Sequence, residues 1–552
     1  MCGICLLWSP RSGGAFPHYE LHHCVERLIA RGPDEPYSDV LTLANGVRVG
    51  LGFTRLHVQG APGREQPFCL PDGRRIMCNG EIFNAPALVA SLGLDVAPGS
   101  SDCAVIPALL QRFDLATTCR QLDGDFAIVV LDPSANTISV ARDPYGVRPL
   151  FFGTYETGLA CIASELKGFP NHMGPLVSVA AVDPGSYMTI SLTDPSERSQ
   201  VTWHEVPWLK SPHFASADPG PALRSAFEEA VAKRMATVRE VGACLSGGLD
   251  SSLVAALAAK ILAAKGQRLH TYSIGMEGSP DLENARLVAN HINSIHHERT
   301  VTAAECLTAI PRVIKAIESF DITTVRASVG NYLLGAFIAR ITPKVKVVLN
   351  GDGADEILGG YLYMRMAPSD ADFEAETTRL LTEIHCYDVL RSERSMAAHG
   401  LESRSPFLDR QFVSVARGLP TAALRPSTDR IEKHVLRAAF DSSRLLPSTV
   451  LWRRKEAFSD GISRAENSWF ETAKARGEAE FEGSEGGWTS TASTYTINPP
   501  PTAEAAWYRH IFHESYPQAA AAVIPSMWMP RFIEGATDPS ARTLALYNPA
   551  EE

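Results

Sequence analysis

The sequence has no run approaching the roughly 18 apolar residues that a membrane-spanning helix requires. It has no excess of basic residues either: 51 lysines and arginines face 62 aspartates and glutamates, a formal net charge of −11 that argues against nucleic-acid binding. Eleven cysteines, at 2, 5, 24, 69, 78, 103, 119, 161, 244, 306 and 386, lack the dense spacing of a secreted disulfide framework. Cys2 and Cys5 form a Cys-x-x-Cys, but no second such pair or Cys-x-x-His completes a zinc site. The apolar stretch from residue 2 has no positive flank ahead of it and soon meets Ser9-Pro10-Arg11, so it does not read as a secretory signal. A soluble protein of a reducing cytoplasm is expected. Internal repeats and the Walker-type G-x-x-x-x-G-K-[ST] are also missing, which steers away from γ-phosphate transfer.

What is present suits a globular chain of 552 residues, long enough for two domains and a C-terminal extension. Residues 1–195 are rich in short β-type runs: VRVGLGF, RRIMCNGEIF, FAIVVLD, TISVARD and LACIAS. Residues 196–218 turn to proline, serine and charge, as a linker would. From 219 to 552 the period changes. Leu223, Phe227 and Val231 recur at helical spacing, with Glu229 and Lys233 paired on another face. Strands VGACL, LHTYSIGM and VKVVL then alternate with helical stretches, the pattern of a doubly wound parallel sheet. GEAEFEGSEGG and NPPPTAEAA read as a surface insertion and a loop.

Two loops carry chemistry. VGACLSGGLDSS runs from a strand into a helix through Ser246, Gly247, Gly248, Asp250, Ser251 and Ser252. Glycines allow close backbone approach, and free amides at a helix N-terminus hold an anion such as pyrophosphate without a basic side chain. The second loop, NGDGADEILGGY, follows VKVVL and gathers Asp352, Asp355 and Glu356, carboxylates that with Asp250 suit Mg²⁺ between phosphates. The adjacent His296 and His297 of HHE would point to opposite faces of a strand and so do not suggest a metal site.

SGGLDSS resembles the loop of the ATP pyrophosphatases, and the chain as a whole resembles the glutamine-hydrolysing asparagine synthetases. The first half carries MCGI, RGPDE, TRLHV, CNGEIFN, SSDCAV, LDGDFAIVVLD and ARDPYGVRPLFFG; the second carries YSIGMEGSPDLENA, DITTVRAS, LNGDGADEILGGYLY, AAHGLESRSPFLD and RRKEAFSDG. The resemblance implies a mixed α/β and α+β protein. An N-terminal Ntn-type αββα sandwich, the class II glutamine amidotransferase domain, would precede a doubly wound ATP-pyrophosphatase domain.

It also implies roles. With Met1 removed, Cys2 is the nucleophile, and its own α-amine, of pKa about 7.7 to 8.0, is the base that takes the thiol proton. The Asn79 side chain and the Gly80 N–H form the oxyanion hole; Arg55 holds the glutamine α-carboxylate, and Glu81 and Asp102 its α-ammonium. Leu245, Ser246, Gly247, Gly248, Asp250, Ser251, Ile274, Asn350 and Gly351 contact ATP. Thr323, Thr324 and Arg326 bind aspartate, Lys455 neutralises phosphate charge, and Asp250 and Asp355 hold the metal. Substrates are thus glutamine, aspartate and ATP with Mg²⁺, through a β-aspartyl-AMP, and a homodimer is what the family suggests.

Two segments depart from the family pattern. Many asparagine synthetases have Ser-Gly-Glu-Gly where this chain has Asn350-Gly351-Asp352-Gly353, and related amidotransferases that amidate other carboxylates also carry aspartate there. Ala30 stands before RGPD where histidine is usual. A non-catalytic relative would be expected to lose Cys2, the SGGLDSS loop or Lys455, and all three are present.

Overall fold

The computed structural model describes residues 1–10, 16–204, 219–427, 430–456, 458–464, 468–484 and 486–543. Two units emerge. The first comprises Met1–Glu205, Ala397–Leu401 and Ser515–Val523; the second comprises Val206–Met396, Glu402–Glu514 and Ile524–Glu552.

The first unit is built on two six-stranded antiparallel sheets. In one, strand Gly3–Ser9 lies between Arg48–Arg55 and Ala160–Ala163. In the other, Arg75–Ile82 pairs with Gly124–Asp132, which pairs in turn with Thr137–Arg142. The period of two in these strands decides what each face buries. Ala127, Val129 and Leu131 join Ile4, Leu6 and Trp8 in one core cluster, while Phe126, Ile128 and Val130 join Leu88 and Leu109 of the helices Ala85–Leu92 and Val105–Leu110 in another. On the far side of the first sheet, Gly50 and Gly52 let helix His18–Leu28 lie close. A Cβ on Gly52 would come within 2.5 Å of Val25, and one on Gly50 within 3.1 Å of Leu21. The layers are therefore helix, sheet, sheet, helix, as expected.

The second unit holds a five-stranded parallel sheet in the order Ile295–Thr300, His270–Gly275, Glu240–Cys244, Val345–Leu349, Glu402–Arg404. The chain starts in the middle, winds outward to one edge, then returns and winds to the other. Order reverses between Glu240–Cys244 and Val345–Leu349, and ligands of such sheets bind beyond the carboxyl ends of the strands at that switch point. SGGLDSS and NGDGADE follow these two strands. Helix Gly220–Arg234 buries Leu223, Phe227 and Val231, and Phe227 packs 4.2 Å from Phe407 between ring centroids.

Three segments differ from the sequence reading. Within the expected linker 196–218, Arg198–Thr202 forms an edge strand paired with Ser186–Ser191; its five residues are all exposed, so no apolar alternation marked it. Residues 205–218 lie outside the described residues. GEAEFEGSEGG begins inside helix Trp469–Glu480, where Gly477 abuts the Glu504 backbone, and NPPPTAEAA runs into the buried start of helix Ala503–Ser515.

Candidate functional site

In the first unit, Cys2 lies one residue before strand Gly3–Ser9, with its side chain against the inter-sheet core. Its backbone is pinned on both sides. The Cys2 N–H donates to Asn79 Oδ1 at 2.8 Å, and Arg31 Nε donates to the Cys2 carbonyl at 2.9 Å. Arg31 is itself fixed by Glu165 at 2.6 Å, both side chains 1% exposed. Committing Asn79 Oδ1 to Cys2 turns the amide nitrogen the other way, and Asn79 Nδ2 is buried without a hydrogen-bond partner. A buried donor left unpaired costs about 1–3 kcal/mol, so an acceptor is expected to meet it.

Gly80 follows on the same strand, opposite Phe126, where a Cβ would fall 2.3 Å from the Asp125 carbonyl. Glu81 and Asp102 stand nearby: Glu81 is buried beside Gly80, and Asp102 accepts from the Ile82 N–H at 2.5 Å. Arg55 is buried and bonded to the loop carbonyls of Gln59 and Ala61, each at 3.1 Å, and of Gly63. Asn79, Gly80, Glu81 and Asp102 are thus brought together around one strand, while Arg55 is engaged with its neighbouring loop. Cys5, the other half of the Cys-x-x-Cys, is fully buried and donates to the Gly168 carbonyl at 3.5 Å.

In the second unit, Leu245, Ser246, Gly248, Asp250, Ser251, Ile274, Thr323, Thr324, Asn350, Gly351, Asp352, Asp355 and Lys455 line a single cavity. The two switch-point loops touch backbone to backbone: a Cβ on Gly351 would lie 2.8 Å from the Ser251 nitrogen. Gly247 has φ +73° and abuts the backbone of Ala285 at 2.5 Å from a would-be Cβ, so only glycine fits there. Ser246 and Ser251 hydroxyls meet at 3.0 Å, and no side chain caps the N-terminus of helix Leu249–Ala263. Its amides face the cavity end of the loop, an arrangement suited to phosphate oxygens.

The charges around this cavity are ordered. Lys433 Nζ lies 2.5 Å from Asp250 Oδ2 and 2.5 Å from Asp355 Oδ1, and Lys455 pairs with Asp355 Oδ2. Burial would raise the Asp355 carboxyl, but Lys433 and Lys455 outweigh it and hold the group well below the usual carboxylate range. Burial would likewise lower the Lys455 ammonium, and Asp355 and Asp250 together lift it above the ordinary lysine value. Asp352 Oδ1 accepts from Arg391 at 3.0 Å; burial nevertheless pushes its carboxyl up. Asp250 Oδ1 and Asp352 Oδ2 are buried and have no hydrogen-bond partner.

Sequence reading missed Lys433. Its backbone is left-handed at φ +56°, and a Cβ on Gly360 would come within 2.2 Å of its side chain, so backbone strain and a glycine both serve to seat this ammonium. In sequence, IEKH carries no mark of it. Both oxygens of Asp355, expected to hold the metal, face ammonium groups, Lys433 on one side and Lys455 on the other. Among the described residues no cluster of three or more metal-type ligands occurs. Of the residues expected to bind aspartate, Thr323 and Thr324 border the cavity, while the Arg326 guanidinium is buried on Glu504 at 2.6 Å and Asp538 at 2.9 Å and does not border it. His296 and His297 face opposite ways. His297 bonds His270 at 2.9 Å, and His296 reaches Thr271 and Ser273.

Known proteins fit this geometry. The family profile "Glutamine amidotransferase domain" matches residues 1–224, and "Asparagine synthase" matches 222–377 and 365–528. A relative from Gallus gallus, "Asparagine synthetase [glutamine-hydrolyzing]", is 42% identical over 549 residues, covering 95% of this chain and 96% of its own. Relatives of the same name from Bos taurus and Homo sapiens are 41% and 40% identical, each aligned over 86% of this chain. The chain belongs to the glutamine-hydrolysing asparagine synthetases. Against the Ser-Gly-Glu-Gly of many asparagine synthetases, Asn350 is embedded by Ser403 at 2.7 Å and Ser405 at 2.8 Å. Asp352 reaches Arg391, which is anchored in turn by Asn331 at 2.8 Å and Asp388 at 2.7 Å.

Proposed function

We propose that the first unit hydrolyses glutamine at Cys2 and that the second uses the ammonia with ATP and aspartate to make asparagine, releasing glutamate, AMP and diphosphate. The observation that carries the reading is the pair of switch-point loops in backbone contact, with two buried, unpartnered carboxylate oxygens beside a paired lysine system.

With Met1 absent, the nitrogen that donates to Asn79 Oδ1 becomes the α-amine of Cys2, on the same residue as the thiol. The amine takes the thiol proton, sulfur attacks the glutamine side-chain carbonyl, and the oxyanion meets Asn79 Nδ2 and the Gly80 N–H. The C–N bond breaks, ammonia leaves with the proton, and water hydrolyses the thioester to glutamate. Glu81 and Asp102 hold the substrate's α-ammonium, and Arg55 its α-carboxylate once its loop carbonyls release it.

In the second unit the aspartate side-chain carboxylate attacks the α-phosphorus, and the bond to the bridging oxygen breaks to give β-aspartyl-AMP and diphosphate. Ser246, Ser251 and the helix N-terminal amides hold the departing phosphates, with Lys455 and Lys433 countering their charge. Thr323, whose buried hydroxyl has no partner, and Thr324 would orient aspartate. Mg²⁺ would be held by Asp250 Oδ1 and Asp352 Oδ2 and would screen the charge of the phosphates. Ammonia then attacks the acyl carbon and AMP leaves. A reducing cytoplasm suits eleven cysteines, none of which is in a disulfide.

The test is to incubate the purified protein with ATP, Mg²⁺, glutamine and aspartate and to measure asparagine and diphosphate together. Equal amounts are expected; diphosphate out of step with asparagine would overturn the asparagine reading, and a screen of other carboxylates would follow.

A further inference from the structure

The stretch from Trp528 to Thr543 contains no helix or strand beyond one short turn at Ala541–Thr543, yet Trp528, Pro530, Pro539, Ser540 and Ala541 border the nucleotide cavity. It is fastened at four points. The Trp528 N–H donates to Asp321 Oδ2 at 2.7 Å, Asp538 accepts two guanidinium bonds from Arg326 at 2.9 Å each, and the Ser540 hydroxyl donates to Asp460 Oδ1 at 2.8 Å. Arg542 Nη2 donates to Glu456 Oε1 at 2.6 Å and to the Ser463 carbonyl at 3.0 Å.

One of these anchors, Arg542, reaches the segment that carries Lys455. Residues 453–456 have neither helix nor strand, so no backbone ladder fixes where the Lys455 ammonium ends. Side chains hold the segment instead: Glu432 Oε1 accepts from the Lys455 N–H at 2.7 Å, and a second hold falls on the residue after it. Glu456, the next residue, sits between Arg542 and Arg453, which lies 3.0 Å away and also reaches Asp281 at 3.1 Å on the cavity wall. Arg542 is 7% exposed and Glu456 13%. Pairs this buried add little net stability, but their charge-assisted bonds impose a definite geometry. The Arg326 clamp, which sequence reading gave to aspartate, holds the same stretch at Asp538, close to Arg542 along the chain.

We propose that Arg542 is a positioning residue for Lys455: the stretch 528–543, fastened through Arg326 and Arg542, sets the place of the lysine through Glu456. The inference rests on the reading of Lys455 as the cation that meets the phosphates. Arg542 touches no reacting atom in this scheme, so its effect on rate passes through Lys455.

The experiment uses the full-length protein and follows diphosphate release from ATP, aspartate and ammonium, with glutamine hydrolysis measured on the same preparation. Arg542→Ala is expected to lower kcat for diphosphate release by about 10- to 100-fold, the scale of a misplacement near 1 Å, while glutamine hydrolysis is unchanged. Arg542→Lys should recover most of the rate. In a Lys455→Ala background, Arg542→Ala should change little, because the group it positions is gone. If Lys455→Ala is too slow to follow, ATP binding by calorimetry supplies the same cycle. If Arg542→Ala does not fold, Arg542→Gln takes its place. An unaltered rate in Arg542→Ala, or the same fold-loss with and without Lys455, overturns the proposal. A wild-type protein that releases no diphosphate would instead overturn the reading of the second unit.

Discussion

The two units solve different problems of placement. In the first, the reactive group lies beside regular antiparallel strands, and sheet register does most of the aiming: Asn79 stands opposite Ala127, and its amide is turned by one bond to Cys2. In the second, the site lies on loops beyond a parallel sheet, where no ladder reaches. There the groups are placed by ions, with Lys433 between Asp250 and Asp355, Lys455 on Asp355, and Arg391 on Asp352. The contrast follows the chemistry. Amide hydrolysis needs one nucleophile and two donors at fixed points, which a rigid strand supplies. Adenylation must hold a polyanion, and a charge-balanced loop system accepts that anion by exchanging partners.

The largest effect should come from Cys2→Ala, which removes the proposed nucleophile outright. Glutamine-dependent asparagine synthesis should fall by about 10⁴-fold or more while synthesis from ammonium stays near wild type. A comparable loss with ammonium would break the division of labour between the units. Retention of Met1, checked by mass spectrometry of the intact protein, should abolish glutamine hydrolysis in the same selective way.

The mirror experiment is Lys433→Met. Removing the buried ammonium leaves Asp250 and Asp355 without their shared cation, so diphosphate formation should drop by about 10²- to 10³-fold. Glutamine hydrolysis, measured as glutamate release, should be unaffected. A smaller loss than for Lys455→Ala would show that Lys433 spaces the loops more than it meets the phosphates. Asn79→Ala probes the strand-built site at a similar scale, about 10²-fold in kcat for glutamine hydrolysis with little change in KM, because the donor acts on the oxyanion and not on the bound amide.

How far the fold could be read from the sequence follows the same contrast. The strands FAIVVLD and TISVARD and the loops at the switch point stand in the sequence because period and glycine placement are local signals. Lys433 and the Arg326 clamp do not, because each depends on a partner more than 70 residues away: Asp250 and Asp355 for Lys433, and Glu504 and Asp538 for Arg326. An arginine in a substrate-like motif gives no hint that a distant glutamate has already claimed it. Glu504 itself lay in a stretch whose prolines read as loop, and it took a helix packed on Gly477 to bury it. Arg198–Thr202 was hidden for the opposite reason, since an edge strand with every side chain exposed has no hydrophobic period.

The smallest predicted effect tests Asp352, one of two positions in its loop where this chain departs from many of its relatives. Asp352 is short, and the structure matches that length with Arg391, which reaches it at 3.0 Å while held by Asn331 and Asp388. Asp352→Glu adds one methylene without changing charge, so the carboxylate must overrun its partner or bend back. A fall of about tenfold or less in kcat with aspartate is expected, with glutamine hydrolysis unchanged, measured as asparagine formed from ammonium. A rise in rate would mean that the shorter side chain is tuned to an acyl acceptor other than aspartate. Repeating the assay with a series of longer carboxylic acids would then separate the two, because an acceptor that suits Asp352 should lose rate with Asp352→Glu while aspartate gains it.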